Sequence, residues 1–350
     1  MYYYEPGFVH PEFRLNGHHL GANELRGVAY DLIKEGALHE QPIGDFLLDW
    51  FDEKEYVQIR TSGTTGTPKL IKIKKEHMVN SAVATAEFFD VGVRTKALHC
   101  LPAQYVAGKM MLVRAMILGW RLDVVPPGSE PLEKNTKKYD FAAMVPIQAE
   151  RSFDRLSQVK KIILGGGKVS QALSARLQTL QSEIWETYAM TETVTHIAAK
   201  RVGEVAFTTL PNVSVTTDAR GCLVISAPNV ADTTIVTNDL VSVKDAHHFV
   251  WLGRHDNVIN SGGIKLYPEQ IEEKLSLFIK RRFFVYGLPD DTLGERLILV
   301  IEGEQREITD DCYVALDKYE KPKEVVFVPK FSETGTGKIQ RAETLKAFQL

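Results

Sequence analysis

The chain has 350 residues, of which 44% are hydrophobic and 25% charged, with 42 Lys+Arg against 45 Asp+Glu for a formal charge of −3. This is globular composition, which excludes a disordered or fibrous chain, and the near balance of charge removes the electrostatic warrant for a nucleic-acid or anionic-membrane partner. Cys100, Cys222 and Cys312 lack CxxC or Cys/His spacing, which excludes a disulfide framework and a structural zinc site.

A prior of roughly 150 residues per domain gives two or three domains. The opening MYYYEPGFVHPEF has no basic or apolar leader region, and the most apolar run, Met110–Trp120, is too short to span a bilayer and contains Arg114. A soluble, reduced, cytoplasmic protein is the expectation, and a homo-oligomer is compatible with it.

Residues 1–55 are mixed. A short strand is predicted at Tyr56–Arg60, then a Thr/Gly-rich loop, then a helix from about Lys75 with Glu76 in its first turn. Strands at Ala97–Leu101 and Arg121–Val125 flank an amphipathic helix at Ala107–Leu118. Phe141–Val145, a helix at Gln148–Leu156 and Lys161–Leu164 continue the alternation, which predicts a parallel sheet flanked by helices.

From Val202 short β-rich runs (Val213–Thr217, Cys222–Ile225, Thr234–Thr237, Val241–Val243, Phe249–Trp251) predict an antiparallel subdomain over about 202–252. Beyond Gly253–Asn257 come a helix at Pro268–Ile279, strands at Phe283–Tyr286 and Leu297–Ile301, a helix near Asp310–Lys318, a strand at Glu324–Val328 and a terminal helix. The fold class is therefore α/β: a large N-terminal domain, 1–255, and a small α+β domain, 256–350.

The strongest local signal is Thr61-Ser62-Gly63-Thr64-Thr65-Gly66-Thr67-Pro68-Lys69, directly after a strand. Glycines let backbone N–H groups turn toward an anion, hydroxyls donate hydrogen bonds and the lysine neutralises charge. It is not a Walker A loop, and Gly165-Gly166-Gly167 is not a dinucleotide fingerprint. Taken alone the cluster fits a phosphate loop and an ordinary surface loop equally.

Its companions decide. TSGTTGTPK resembles the phosphate loop of the adenylate-forming superfamily of acyl-CoA synthetases, peptide-synthetase adenylation domains and luciferases. Gly165-Gly166-Gly167-Lys168 resembles that family's adenine-binding turn. Tyr188-Ala189-Met190-Thr191-Glu192-Thr193 matches its Tyr-Gly-Met-Thr-Glu-Thr block except at Ala189, and Thr237-Asn238-Asp239 its Thr-Gly-Asp block except at Asn238. Gly253 to Ile259, running on through Gly262-Gly263 to Glu269, is similar to the hinge block, and Thr336-Gly337-Lys338 to the C-terminal lysine motif. The blocks stand in family order over about four fifths of the chain.

The resemblance implies roles position by position. Thr61, Ser62, Gly63, Thr64, Thr65, Thr67 and Lys69 would cradle the phosphates of ATP, with Gly165, Gly166, Gly167 and Tyr188 against the adenine. Asp239 would accept the ribose hydroxyls with Arg254 nearby. Thr191 would bond the α-phosphate and Glu192 would hold Mg²⁺. Lys338 would reach the reacting oxygens, where a cation is worth about 3 kcal/mol. Asp256 would be the hinge on which the C-terminal domain turns, bringing Gly262 and Gly263 to line the pantetheine tunnel of CoA; Asn260 replaces a common lysine there.

The acid is read from LPAQYVAGKMMLVRA, where Gln104-Tyr105 replaces the family's histidine. Tyr105, Gly108, Lys109, Arg114 and Ala189 are the candidate substrate residues. A fatty-acid pocket would not favour buried cations, whereas a second carboxylate would partner one. Lys109 and Arg114 lie about 140° apart on an ideal helix, so one site does not hold both. Snorkelling to the surface is the alternative for either. Within the family the pattern most resembles the o-succinylbenzoate–CoA ligases of menaquinone biosynthesis, which implies an aromatic dicarboxylic keto acid, ATP and CoA as small-molecule partners. About 60 residues precede the phosphate loop, fewer than in most members.

Overall fold

The computed structural model describes residues 4–60, 70–333 and 339–349. The phosphate-loop candidates 61–69 and Lys338 lie outside the described residues. Thirteen strands form one sheet. In spatial order Arg14–Leu15, Arg121–Val124, Lys96–His99, Tyr139–Met144, Val159–Leu164 and Glu183–Ala189 run parallel. From Glu183–Ala189 outward every pairing is antiparallel, through His196–Arg201, Phe207–Thr209, His248–Arg254, Ile235–Asp245, Cys222–Ser226 and Ser214–Thr217. The antiparallel run expected from the change of texture thus continues the parallel sheet edge to edge.

Alternation along the central strands explains the layers, because successive side chains point to opposite faces. Phe141, Ala143 and Ile163 join the helices Lys75–Phe89 and Val106–Leu118 in one core. Ala142, Met144, Ile162 and Leu164 join Ala149, Leu173 and Leu177 in a second core on the other face. Two helices, Ala22–Lys34 and Gln41–Phe51, cover the first face; the mixed N-terminal residues gave no sign of them in the sequence.

Val106–Leu118 is not amphipathic. Every residue from Gly108 to Leu118 is buried, as expected of a helix with apolar residues on all sides. It packs between the sheet and neighbouring helices and forms part of the core.

A second sheet orders Ile264–Leu266, Ile259–Ser261, Gly294–Glu302 and Phe283–Asp290, with Glu324–Val328 pairing parallel to Gly294–Glu302. Apolar clusters lie on both of its faces. Pro268 begins the helix Pro268–Leu275, a first-turn position where the missing N–H costs nothing. The helix expected near 310–318 is only the short 3₁₀ turn Asp310–Tyr313: Cys312, Tyr313 and Leu316 reach the core, but Val314, Lys318 and Tyr319 are exposed, and so short an apolar contact does not hold a longer helix. Cys100, Cys222 and Cys312 are free thiols.

Candidate active site

The site lies at the carboxyl ends of the parallel strands, where open α/β sheets leave a crevice. Two cavities meet there. One, of about 480 Å³, is walled by residues at the ends of three strands (Met144, Gly165, Ala189), by Tyr105 and by Arg114. The other, of about 740 Å³, is lined by Gly166, Gly167, Tyr188, Asp239, Trp251 and Glu273. Gly166, Thr187 and Ala189 border both, so contents of the two would touch at that seam. Thr187 is held there by its hydroxyl donating to the Leu164 carbonyl at 2.9 Å.

In the larger cavity the Tyr188 hydroxyl donates to Asp239 Oδ2 at 2.6 Å and the Trp251 indole donates to Oδ1 at 3.1 Å. Arg254 Nη1 stands 3.6 Å from the same carboxylate. Burial, followed by the charge of Asp239, pushes the Tyr188 phenol well above its ordinary pKa, so it stays a hydrogen-bond donor. Its ring meets Phe207 and Phe249 edge-on. The neutral Tyr and Trp rings leave a flat apolar wall beside a carboxylate, a combination suited to a base and a sugar diol.

Thr191, Glu192 and Thr193 form a 3₁₀ turn, and Val194 closes it at φ +67°, a left-handed conformation costly for a β-branched residue. The turn presents Glu192 to solvent, and the carboxylate has no hydrogen bond or ion pair among the described residues. An unengaged hard oxygen donor fits Mg²⁺, which takes one or two carboxylates and shares the remaining positions with phosphates. Among the described residues no cluster of three or more His, Cys, Asp or Glu forms a metal cage.

In the smaller cavity the decisive group is Arg114. It is 1% exposed and faces no carboxylate among the described residues. Its Nε donates to Thr85 Oγ1 at 3.2 Å, Nη1 contacts Met111 Sδ at 3.8 Å, and Nη2 lies 3.5 Å from His196 Nδ1. Burial draws its pKa down to about 9, so it remains a cation at neutral pH.

Lys109 is also buried, but it does not line this cavity. Its ammonium sits 4.8 Å from the Phe46 ring centroid, and burial lowers its pKa against the weaker pull of Asp49 and Asp45. The 140° separation explains why the two cations part. Gly108 does not line the cavity either; a Cβ there would collide with the Pro102 carbonyl, so glycine lets the helix seat on that loop.

Gly262 and Gly263, at φ +58° and +81°, make the two-residue turn between Ile259–Ser261 and Ile264–Leu266. Two positive φ angles in a hairpin of this length require glycine or asparagine, a sufficient local reason for the pair. Asp256 lies in the 3₁₀ turn His255–Asn257, exposed, near Arg254 Nη2 at 3.4 Å and Asn238 Nδ2 at 3.3 Å. Lys168 bridges from the glycine turn to the helix Pro268–Leu275, pairing with Glu273 at 2.7 Å. His196, Thr85, Trp251 and the Lys168–Glu273 pair were missed by sequence reasoning. A lone histidine in an apolar strand carried no spacing signal, and Thr85 gains meaning only through its distant neighbours.

A family described as AMP-binding enzyme matches residues 53–225, and one described as AMP-binding enzyme C-terminal domain matches 281–338. The 2-succinylbenzoate–CoA ligase of Lactococcus lactis subsp. lactis (strain IL1403) is 27% identical over 324 residues, covering 84% of this chain and 72% of its own. An acyl-CoA synthetase (AMP-forming)/AMP-acid ligase II-like protein from Dyadobacter fermentans DSM 18053 is 34% identical, with a TM-score of 0.61 over 92% of this chain and 98% of that one. The O-succinylbenzoate coenzyme A synthetase of Bacillus subtilis, solved with ATP and a magnesium ion, shares the fold at a TM-score of 0.72 and 19% identity, over 82% of this chain and 69% of that one.

Proposed function

Since this chain belongs to the AMP-binding, adenylate-forming enzyme family, we propose that it is an acid–CoA ligase for an aromatic dicarboxylic keto acid, o-succinylbenzoate, in menaquinone biosynthesis. The chain is an ATP-dependent, AMP-forming acid–CoA ligase. The acid rests on one observation, the buried Arg114 that faces the smaller cavity with no carboxylate partner among the described residues.

Burying an unpaired cation is costly, and a fatty acyl chain would leave that cost unmet. A second carboxylate on the substrate would meet it with charge-assisted hydrogen bonds. The 25–28% identical 2-succinylbenzoate–CoA ligases point to the same chemistry.

In the first half-reaction one carboxylate of the acid attacks the α-phosphorus of ATP and pyrophosphate leaves, giving the acyl-adenylate. Acid in the smaller cavity and nucleotide in the larger would meet at the Gly166–Thr187–Ala189 seam. Tyr188 would lie against the adenine, Asp239 would accept the ribose hydroxyls, and Thr191 would donate to the α-phosphate. Mg²⁺ supplies charge neutralisation of the phosphates when bound, and Glu192 would be its protein ligand. Residues 61–69 would hold the leaving phosphates and Lys338 the oxygens on which charge gathers.

In the second half-reaction the CoA thiol attacks the acyl carbonyl and AMP leaves, so no acyl-enzyme is needed. Residues 256–350 would act as a lid turning about Asp256 between the two steps, a known class of domain motion, and Gly262-Gly263 would then flank the pantetheine arm. An acid-dependent pyrophosphate–ATP exchange screen tests the assignment: o-succinylbenzoate should support exchange. Exchange with another acid but none with o-succinylbenzoate would remove it.

A further inference from the structure

Arg114 carries five N–H donors in a rigid plane, and how they are spent decides where the rest point. Nε is taken by Thr85 Oγ1, one Nη1 hydrogen faces Met111 Sδ, and one Nη2 hydrogen faces His196 Nδ1. One N–H on each terminal nitrogen is left without an acceptor among the described residues. These are two donors that a carboxylate can accept.

The surrounding hydrogens are also determined. A guanidinium only donates, so His196 Nδ1 must present its lone pair, and the ring proton sits on Nε2. Nε2 lies 3.4 Å from Thr85 Oγ1, whose own hydrogen goes to the Ser81 carbonyl at 2.8 Å. Thr85 therefore accepts from both Arg114 and His196. The Phe89 ring packs edge-on against the His196 ring at 5.7 Å and fixes its plane. Burial, reinforced by the Arg114 charge, lowers the His196 pKa well below its ordinary value, consistent with a neutral ring.

We propose that Thr85 and the neutral Nε2–H form of His196 are positioning residues: they hold Arg114 so that its two free N–H groups face the acyl cavity, and this sets the preference for an acid with a second carboxylate. The inference rests on reading Arg114 as the carboxylate receptor. His196 itself is an acceptor toward arginine and offers no positive charge to the substrate. A wrong rotamer of Arg114 would leave the substrate carboxylate buried and unpaired.

The test compares kcat/KM for o-succinylbenzoate with that for two monoacid analogues, each lacking one carboxylate, in wild type, R114M, H196F, H196N and T85V. Wild type should favour the diacid, and R114M should abolish that preference. His196→Phe should cut the diacid preference by about tenfold or more through KM, with kcat for the better monoacid within about twofold. His196→Asn, whose amide oxygen falls near the position of Nδ1, should restore most of it.

Thr85→Val, nearly isosteric, removes the Nε anchor without altering the ring and should likewise cut the diacid preference, which keeps the test decisive if the bulkier variant fails to fold. If wild type shows no diacid preference, the reading of Arg114 fails. If R114M abolishes the preference while H196F and T85V keep it, the positioning inference fails alone. Equal losses on diacid and monoacid would likewise overturn it, by making the network merely structural.

Discussion

Replacing Arg114 by methionine separates a substrate receptor from a structural arginine, because the two roles predict opposite signs for stability. Burial that lowers the guanidinium from 12.5 to about 9 corresponds to a penalty on the order of 5 kcal/mol on its charged form. The contacts to Thr85 and His196, at 3.2 and 3.5 Å, return about 1 kcal/mol each.

Methionine, an unbranched apolar residue that adapts to irregular space, removes both the penalty and the bonds. The free enzyme should gain about 1–3 kcal/mol, read as a higher denaturant midpoint with unchanged m-value. Activity should move the other way. A substrate carboxylate left buried without its partner costs about 2–5 kcal/mol, so kcat/KM for the diacid should fall by about 30-fold or more while KM for ATP changes little. Paired stability and steady-state measurements decide: destabilisation by 3 kcal/mol or more, with uniform loss for every acid, would refute the receptor role.

Lys338→Ala should lower adenylation by about 10²–10³-fold yet largely spare thioester formation from supplied acyl-adenylate; equal loss of both half-reactions, measured separately, contradicts the two-conformation mechanism. Glu192→Gln should raise the Mg²⁺ concentration for half-maximal exchange by about tenfold, and an unchanged Mg²⁺ titration would remove Glu192 as the ligand. His99 is fully buried, and burial, with a smaller contribution from His39, lowers its pKa to about 4. Its folded pKa lies below the unfolded value near 6.5, so the unfolded chain binds more protons between these pH values. Stability from His99, about 3 kcal/mol, is present above pH 6.5 and lost as pH falls toward 4. His99→Met should flatten the decline of the urea midpoint over that window; an unaltered slope would show that His99 is not its source.

Much of the parallel half was legible because each strand is a short apolar run between helical stretches, as in Tyr139–Met144 and Val159–Leu164. The N-terminal helices escaped notice because His, Gly and Pro interrupt the chain around them, and their apolar faces are defined only by the sheet they cover. Asp310–Lys318 failed for a different reason: only Cys312, Tyr313 and Leu316 reach the core, too short a contact to hold several helical turns. At the site, Tyr188 and Asp239 were readable from their blocks, although the hydrogen bond between them was not. Arg114 stood out as a charge in an apolar run. Its divergence from Lys109 follows from helical periodicity, but His196 and Thr85 join it only through the crossing of three separate elements.

The most direct measurement is the mass of the product formed from ATP, CoA and o-succinylbenzoate. The account predicts o-succinylbenzoyl-CoA together with AMP and pyrophosphate. ADP and phosphate, or no CoA thioester from this acid while another acid is consumed, would contradict it.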